Sequence, residues 1–269
     1  MFRFLREERQ LTLNDFKAYH ISKSTLEKFE NGQGNLPFDK LDEALQAMNV
    51  TLHEYSYLLN NGTNDYFIEI FEEIDRAFYL EDKSTLKQIY DDNIIYPEGC
   101  YYALCAKACY TALEKEEQEK IADLLIGTEY WGAKELWIFT DTIDQLSNPL
   151  LLSLLNEFLA KSNYFHRIVD YNRLITQAIN TAVLTLINRN MGKEAKMVLD
   201  KTAQDLWEVD LFSRNVHLFL LGLWLYSFSN QTNGEEKMKH SIQIFNMLGS
   251  THLENKYQKI YDTTLKKHA

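Results

Sequence analysis

The stretch ISKSTLEKFENGQGNLPFDKL, residues 21–41, decides how this chain is read. A small polar run, Ser22 to Thr25, precedes the helical pair Leu26 and Phe29, and the pattern breaks at Asn31-Gly32. Ser22 is a good N-cap for a helix running to Glu30, because its side-chain oxygen can take a backbone N–H that the first turn leaves unpaired. Asn and Gly tolerate the left-handed backbone that stops a helix. A helix that only covered a core would have no need of so polar an opening. A helix that pushes its first turn into a large polyanion would.

Upstream, LTLNDFKAYH (residues 11–20) reads as a preceding helix, with Thr12 as its N-cap and Asp15 in its first turn. His20-Ile21 is then the turn of a helix-turn-helix, whose second helix needs short or flexible side chains at the base edges. Ile21, Leu26 and Phe29 face inward, leaving Lys23, Ser24 and Lys28 outward. Serine can bond several base edges and lysine can donate to guanine or phosphate. The candidate DNA contacts are therefore Ser22, Lys23, Ser24, Thr25 and Lys28, with Arg3 and Arg6 on phosphates. Asn31, with Gly32, would offer backbone N–H groups to a phosphate. Glu27 and Glu30 oppose such contact unless Glu30 is tied to an arginine of the first helix. The competing reading is a small helical domain with a capped surface helix.

LPFDKLDEALQAMN restarts with Pro37 near a first turn, and TLHEYSYLLNNG closes at Asn61-Gly62. Five short helices thus fill residues 1–62, a helix-turn-helix domain. Residues 65–269 read as longer helices near 64–80, 84–92, 97–114, 116–127, 130–146, 149–162, 165–190, 193–206, 210–229, 234–249 and 253–267. Only 3 prolines and 10 glycines occur among the 269 residues, so the expected class is all-α. Short breaks between paired helices suggest an α-solenoid of helical hairpins, tetratricopeptide-like in plan.

The formal net charge of −11 is unevenly spread. Residues 1–62 carry seven Lys/Arg against nine Asp/Glu, and residues 63–269 carry 21 against 30. Polyanion binding must then come from a local face rather than from a basic block. Cys100, Cys105 and Cys109 lack a CxxC pair or a matching histidine cluster and read as buried free thiols. The seven histidines are scattered, and no nucleophile-elbow, Walker or dinucleotide motif occurs. No catalytic residue, metal or cofactor is expected, and the chain is not read as an enzyme. The longest apolar run, Leu218–Phe228, is too short for a bilayer, and a cytoplasmic protein is expected.

The segments FRFLREERQLTL, ISKSTLEKFENG and LPFDKLDEALQAMNVTLHEY resemble the N-terminal domain of the Rgg/GadR/MutR regulators, of the Xre-type helix-turn-helix class. ELWIF (135–139), YNRLI with AIN (171–180) and FLLGLWLY (219–226) are similar to that family's C-terminal half. The resemblance implies a homodimeric transcription factor acting on promoter DNA. Its tetratricopeptide-like domain would bind a short hydrophobic signalling peptide, as in quorum sensing. The alternatives are a helical-repeat interaction scaffold and a small-molecule-responsive regulator. Residues 1–62 hold no cysteine, which excludes a disulfide between two such domains.

On the helix expected over 165–190, Ile168, Tyr171, Ile175, Ala178, Ala182 and Leu186 suit packing. Arg173, Gln177, Asn180 and Asn188 form a polar line, with Asn172 beside it. Amides match the alternating donors and acceptors of an extended peptide, and Arg173 could take a carboxylate bidentately. Apolar pockets would come from Trp137, Phe212 and Trp224. Spacing alone leaves a solvated polar stripe equally open; the resemblance favours the peptide. In the last helices Met238, Ile242, Phe245, Tyr257, Ile260 and Tyr261 form stripes that either cap the solenoid or dimerise.

Overall fold

The computed structural model describes residues 1–161, 168–203 and 206–268. Every regular element among them is helical, in two compact units, Met1–Glu69 and Ile70–Ala269. In the first unit α1 (Phe2–Glu8), a 3-10 turn (Asp15–Tyr19), α2 (Lys23–Glu30), α3 (Phe38–Ala47) and α4 (Leu52–Leu59) enclose one core. The Phe2 ring sits at its middle, 5.9, 5.5 and 6.5 Å from the rings of Phe16, Phe29 and Tyr55. Local chemistry sets the helix ends. Thr51 accepts the Glu54 N–H at 3.1 Å while the Glu54 carboxylate accepts the Thr51 N–H at 2.7 Å, a closed capping box. Pro37 caps α3, where its carbonyl accepts from Leu41.

The segment LTLNDFKAYH is shorter in helix than its pattern suggests. The Asp15 carboxylate accepts the Thr12 N–H and hydroxyl at 2.6 and 2.8 Å, which fixes Thr12–Asn14 as a turn. His20 stands at φ 57°, which ends the helix five residues later. So short a piece closes with i→i+3 bonds such as Lys17 N–H to Asn14 carbonyl, and a 3-10 turn replaces the α-helix.

The second unit begins within α5 (Tyr66–Tyr79) and continues through α6 (Lys83–Asn93), α7 (Cys100–Ala108), α8 (Lys115–Gly127) and α9 (Ala133–Thr142). After α10 (Asn148–Lys161) come α11 (Val169–Asn188), α12 (Gly192–Ala203), α13 (Leu211–Phe228), α14 (Gln231–Met247) and α15 (Thr251–His268). The helix end expected at 162 and the start expected at 165 lie outside the described residues, and at 206, the end expected for α12, the chain is not helical. α7, α9, α11 and α13 pack in succession as one layer; against it α8 packs on α9 and α10, α12 on α11 and α13, and α14 on α13. This is a stack of helical hairpins. Trp131, Phe139 and Phe158 fill its middle, with ring centroids 5.2 to 5.9 Å apart. Cys100 and Cys105 are buried and Cys109 half-buried, all as free thiols.

Two expectations need correcting, and one left open is narrowed. Gly234 reads as a helix start, yet α14 opens earlier on an Asn230 cap, whose side chain accepts the Asn233 N–H at 3.0 Å. The glycine serves a close crossing instead: a Cβ on Gly222 would lie 2.8 Å from the Gly234 carbonyl oxygen and 2.9 Å from the Met238 nitrogen. The apolar stripes of α14 and α15 are consumed within the chain. Met238, Ile242, Phe245, Tyr257 and Tyr261 are buried, and Tyr257 packs 4.8 Å from Phe219 and 5.1 Å from Phe245. Ile168, expected in the core, is exposed. Among the described residues no helix is long and apolar enough to cross a membrane.

The α13–α14 crossing yields a test. Gly222→Ala gains about 1 kcal/mol of helix propensity, but its methyl meets backbone that cannot yield. We expect a net loss of about 1–3 kcal/mol, read as a lower Tm. An unchanged or higher Tm would show that the helices separate freely.

Candidate functional sites

The exposed face of α2 is built from its cap outward. Ser22 Oγ accepts the Thr25 N–H at 3.1 Å and lies 2.7 and 3.0 Å from the hydroxyls of Thr25 and Ser24. Leu26 is fully buried and Phe29 packs edge-on to Phe2, so the helix cannot roll. Lys23, Ser24, Thr25 and Lys28 therefore stand in solvent on the other side.

Glu30 is turned inward, with 1% of its side chain exposed. The Arg6 guanidinium donates to both its oxygens at 2.6 and 2.9 Å, and Arg3 Nε donates at 3.1 Å. Burial alone would raise the Glu30 carboxyl; the bonds from Arg6 and Arg3 overcome that and hold it below the usual range. Arg6 also donates to the Leu11 carbonyl at 2.8 Å and to Glu7 at 3.2 Å, and the residue is only 7% exposed. A guanidinium so committed does not fit the phosphate role expected of it. Arg3 is different, since its side chain is 46% exposed and its Nη2 donates to Asn31 Oδ1 at 2.6 Å.

The backbone N–H groups expected to face a phosphate are also engaged. Asn31, Gly32 and Gln33 donate to the carbonyls of Glu27, Phe29 and Lys28, and Gly32 stands at φ 70°. That arrangement is a Schellman stop, which spends its N–H groups on the helix.

The second unit holds a cavity of about 440 Å³. Arg173, Gln177 and Asn180 of α11 line one wall, facing Phe212 of α13 and Lys256 and Tyr257 of α15. Arg173, Gln177 and Asn180 have no side-chain hydrogen-bond partner among the described residues. Asp210, also at the rim, has both oxygens occupied by Ser213, at 3.0 and 2.6 Å. Lys256 donates to the Tyr79 hydroxyl at 3.2 Å and lies 5.1 Å from that ring's centre. The wall thus carries two cations, Arg173 and Lys256, and neutral amides, with the Asp210 carboxylate at the rim turned to Ser213, an environment that can receive a chain of amides ending in a carboxylate.

Four residues of the sequence-derived peptide set meet here: Arg173, Gln177, Asn180 and Phe212. The others lie elsewhere. Trp137 is a core residue stacked on Phe71 at 5.1 Å. Trp224 donates to the Gly192 carbonyl at 2.6 Å in a separate groove with Lys196. Asn188 sits at the far end of α11, beside Lys267, and Asn172 is half-buried on α11. Lys256 and Tyr257 of α15 and Tyr79 of α5 are not read as cavity residues from the sequence, because only the tertiary fold gathers these distant helices at one cavity and no local pattern announces that.

A helix-turn-helix family model matches residues 2–55, and the model of the C-terminal domain of HTH-type transcriptional regulator Rgg matches residues 58–259. The chain belongs to the Rgg family of transcriptional regulators. Among solved structures it is similar to the SHP pheromone receptor Rgg2 of Streptococcus dysgalactiae, at 20% identity and a TM-score of 0.82 over 98% of both chains. A putative transcriptional regulator from Listeria monocytogenes EGD-e is 18% identical, with a TM-score of 0.85 over 99% of this chain and 96% of its own. ComR from S. thermophilus, solved with DNA and its signalling peptide ComS, is 14% identical, with a TM-score of 0.63 over 98% of each chain. At these identities the likeness establishes the fold.

Within the second unit of this Rgg-family chain, an acidic group is under electrostatic tension. One oxygen of Asp141 is enclosed without a hydrogen-bond partner among the described residues. Burial, then Asp75 and Asp144, push its carboxyl well up. Burial likewise pushes Asp75 to about 6, although Lys256 draws it down.

Two predictions rest on these titratable groups. Glu30 ionises more readily folded than unfolded, so it stabilises above its ordinary value of 4.5 and that stability is lost as pH falls through the lowered value. Arg6→Ala removes the partner and should cost the first unit about 3–5 kcal/mol at neutral pH. Chemical denaturation followed by circular dichroism at neutral and acid pH checks both the size and the direction. Asp141 has the opposite sign: its raised value costs stability progressively as pH climbs above 3.8. Asp141→Asn should raise Tm at neutral pH, with the gain closing in acid; a gain constant with pH would refute the charge explanation.

Proposed function

We propose that this chain is a cytoplasmic, homodimeric DNA-binding regulator. Residues 1–62 read a promoter operator, and residues 65–269 bind a short hydrophobic signalling peptide. The DNA half rests on one observation: α2 presents Lys23, Ser24, Thr25 and Lys28 on an exposed face while its own inward carboxylate is neutralised by Arg3 and Arg6. The peptide half rests on the cavity, where Arg173, Gln177 and Asn180 offer unspent donors and acceptors beside Phe212. The binding of DNA and a signalling peptide by ComR supports both halves. Membership of a transcriptional-regulator family favours this reading over a scaffold. A single recognition helix buries too little to hold DNA in salt, which calls for two copies on half-sites about 34–36 Å apart.

In mobility shifts with DNA from upstream of its own or neighbouring genes, Lys28→Ala or Ser24→Ala should alter discrimination between sequences by about 1–3 kcal/mol. Arg3→Ala should weaken all sequences alike and flatten the salt dependence. In calorimetry with short hydrophobic peptides from the same genome, Arg173→Ala or Asn180→Ala should cost about tenfold in affinity or more, with helicity unchanged. Affinity unaltered in both variants refutes the cavity as the peptide site. A monomer by light scattering at micromolar concentration refutes the dimer.

A further inference from the structure

α2 carries two carboxylates three residues apart, and the fold treats them oppositely. Glu30 is buried and bound by two arginines. Glu27 is exposed and, among the described residues, forms no ion pair or side-chain hydrogen bond. The nearest candidate partners on its own helix are Lys23, one turn back, and Lys28 beside it; neither pairs with it. Leu26 and Phe29 fix the helix rotation, so Glu27 shares the outward side with Ser24, Lys28 and Asn31 at i, i+3, i+4 and i+7 spacing from Ser24.

A bare carboxylate on a face that approaches a duplex is repelled by the phosphates and by guanine O6 and N7 and thymine O4. Its cost is repaid only where a base edge presents a donor. Cytosine N4 has C5–H on one side and one acceptor, the O6 of its paired guanine, on the other, whereas adenine N6 lies between two acceptors, its own N7 and thymine O4. We propose that Glu27 is a specificity-determining residue: it accepts a hydrogen bond from a cytosine amino group at one position of each half-site and rejects the other bases there. This inference rests on the regulator reading and adds a base preference to it.

The test is selection of full-length protein on a random duplex pool, with sequencing of the bound fraction, for wild type, Glu27→Ala and Glu27→Gln. Wild type should enrich cytosine at one fixed position per half-site by about tenfold or more. Glu27→Ala should lose that preference alone, keep the rest of the motif, and bind unselected DNA more tightly because one repulsive charge is gone. Glu27→Gln should move the preference towards adenine, whose N6 and N7 match an amide. A Glu27→Ala motif identical to wild type at every position overturns the assignment while leaving the DNA-binding reading intact. A wild type that enriches no sequence overturns both.

Discussion

The functional half of the first unit depends on one ion pair. Arg6 and Glu30 are 24 residues apart, and their bidentate contact joins the first helix to the end of α2. Taking both charges out of water is expensive, and the cost is met only because nearly every donor of the guanidinium has an acceptor. The pair neutralises a carboxylate on the helix proposed to meet DNA, and it adds to the hold that Leu26 and Phe29 have on the rotation of α2. Arg3 extends the link by bonding Glu30 and Asn31 together, so the end of α2 is held by the same cluster.

In the second unit the comparable constraint is backbone contact. Gly222 and Gly234 let α13 and α14 approach until a carbonyl lies where a side chain would begin. Close approach tightens the packing of α13, α14 and α15, and Tyr257 is wedged between Phe219 and Phe245 as a result. Tyr257 and Lys256 are thereby delivered to the cavity wall opposite Arg173. The cavity is thus a consequence of how the last hairpin closes.

What could be read from the chain divides by sequence distance. Ser22 as a cap, the stop at Asn31-Gly32 and Pro37 as an initiator are local chemistry, and all three are visible in a window of twenty residues. The polar line on α11 was legible for the same reason, because i, i+4 and i+7 spacing brings Arg173, Gln177 and Asn180 to one side. Partners beyond a few turns were legible only in part. That Glu30 would need an arginine of the first helix could be read, and Arg6 and Arg3 both supply one, but not that Arg6 would be buried with it and lost to phosphate; and Trp137 looks like a binding aromatic until Phe71 covers it. Gly234 shows the limit from the other direction: its freedom of backbone suggested a break, while its missing side chain was what the fold used.

The net charge of −11 bears on the proposed function more favourably than its sign suggests. At physiological ionic strength charges are screened beyond about 8 Å, so binding at the face proposed on α2 answers to the charges close to it rather than to the net charge. It does act on loose, delocalised attachment, which depends on the summed charge of the molecule. An acidic regulator with a small, neutralised reading face gains little from non-specific adsorption and must rely on what α2 contacts directly. Its discrimination then scales with the quality of a few short-range bonds. That is why the fate of individual carboxylates on one eight-residue helix matters more here than in a basic DNA-binding protein.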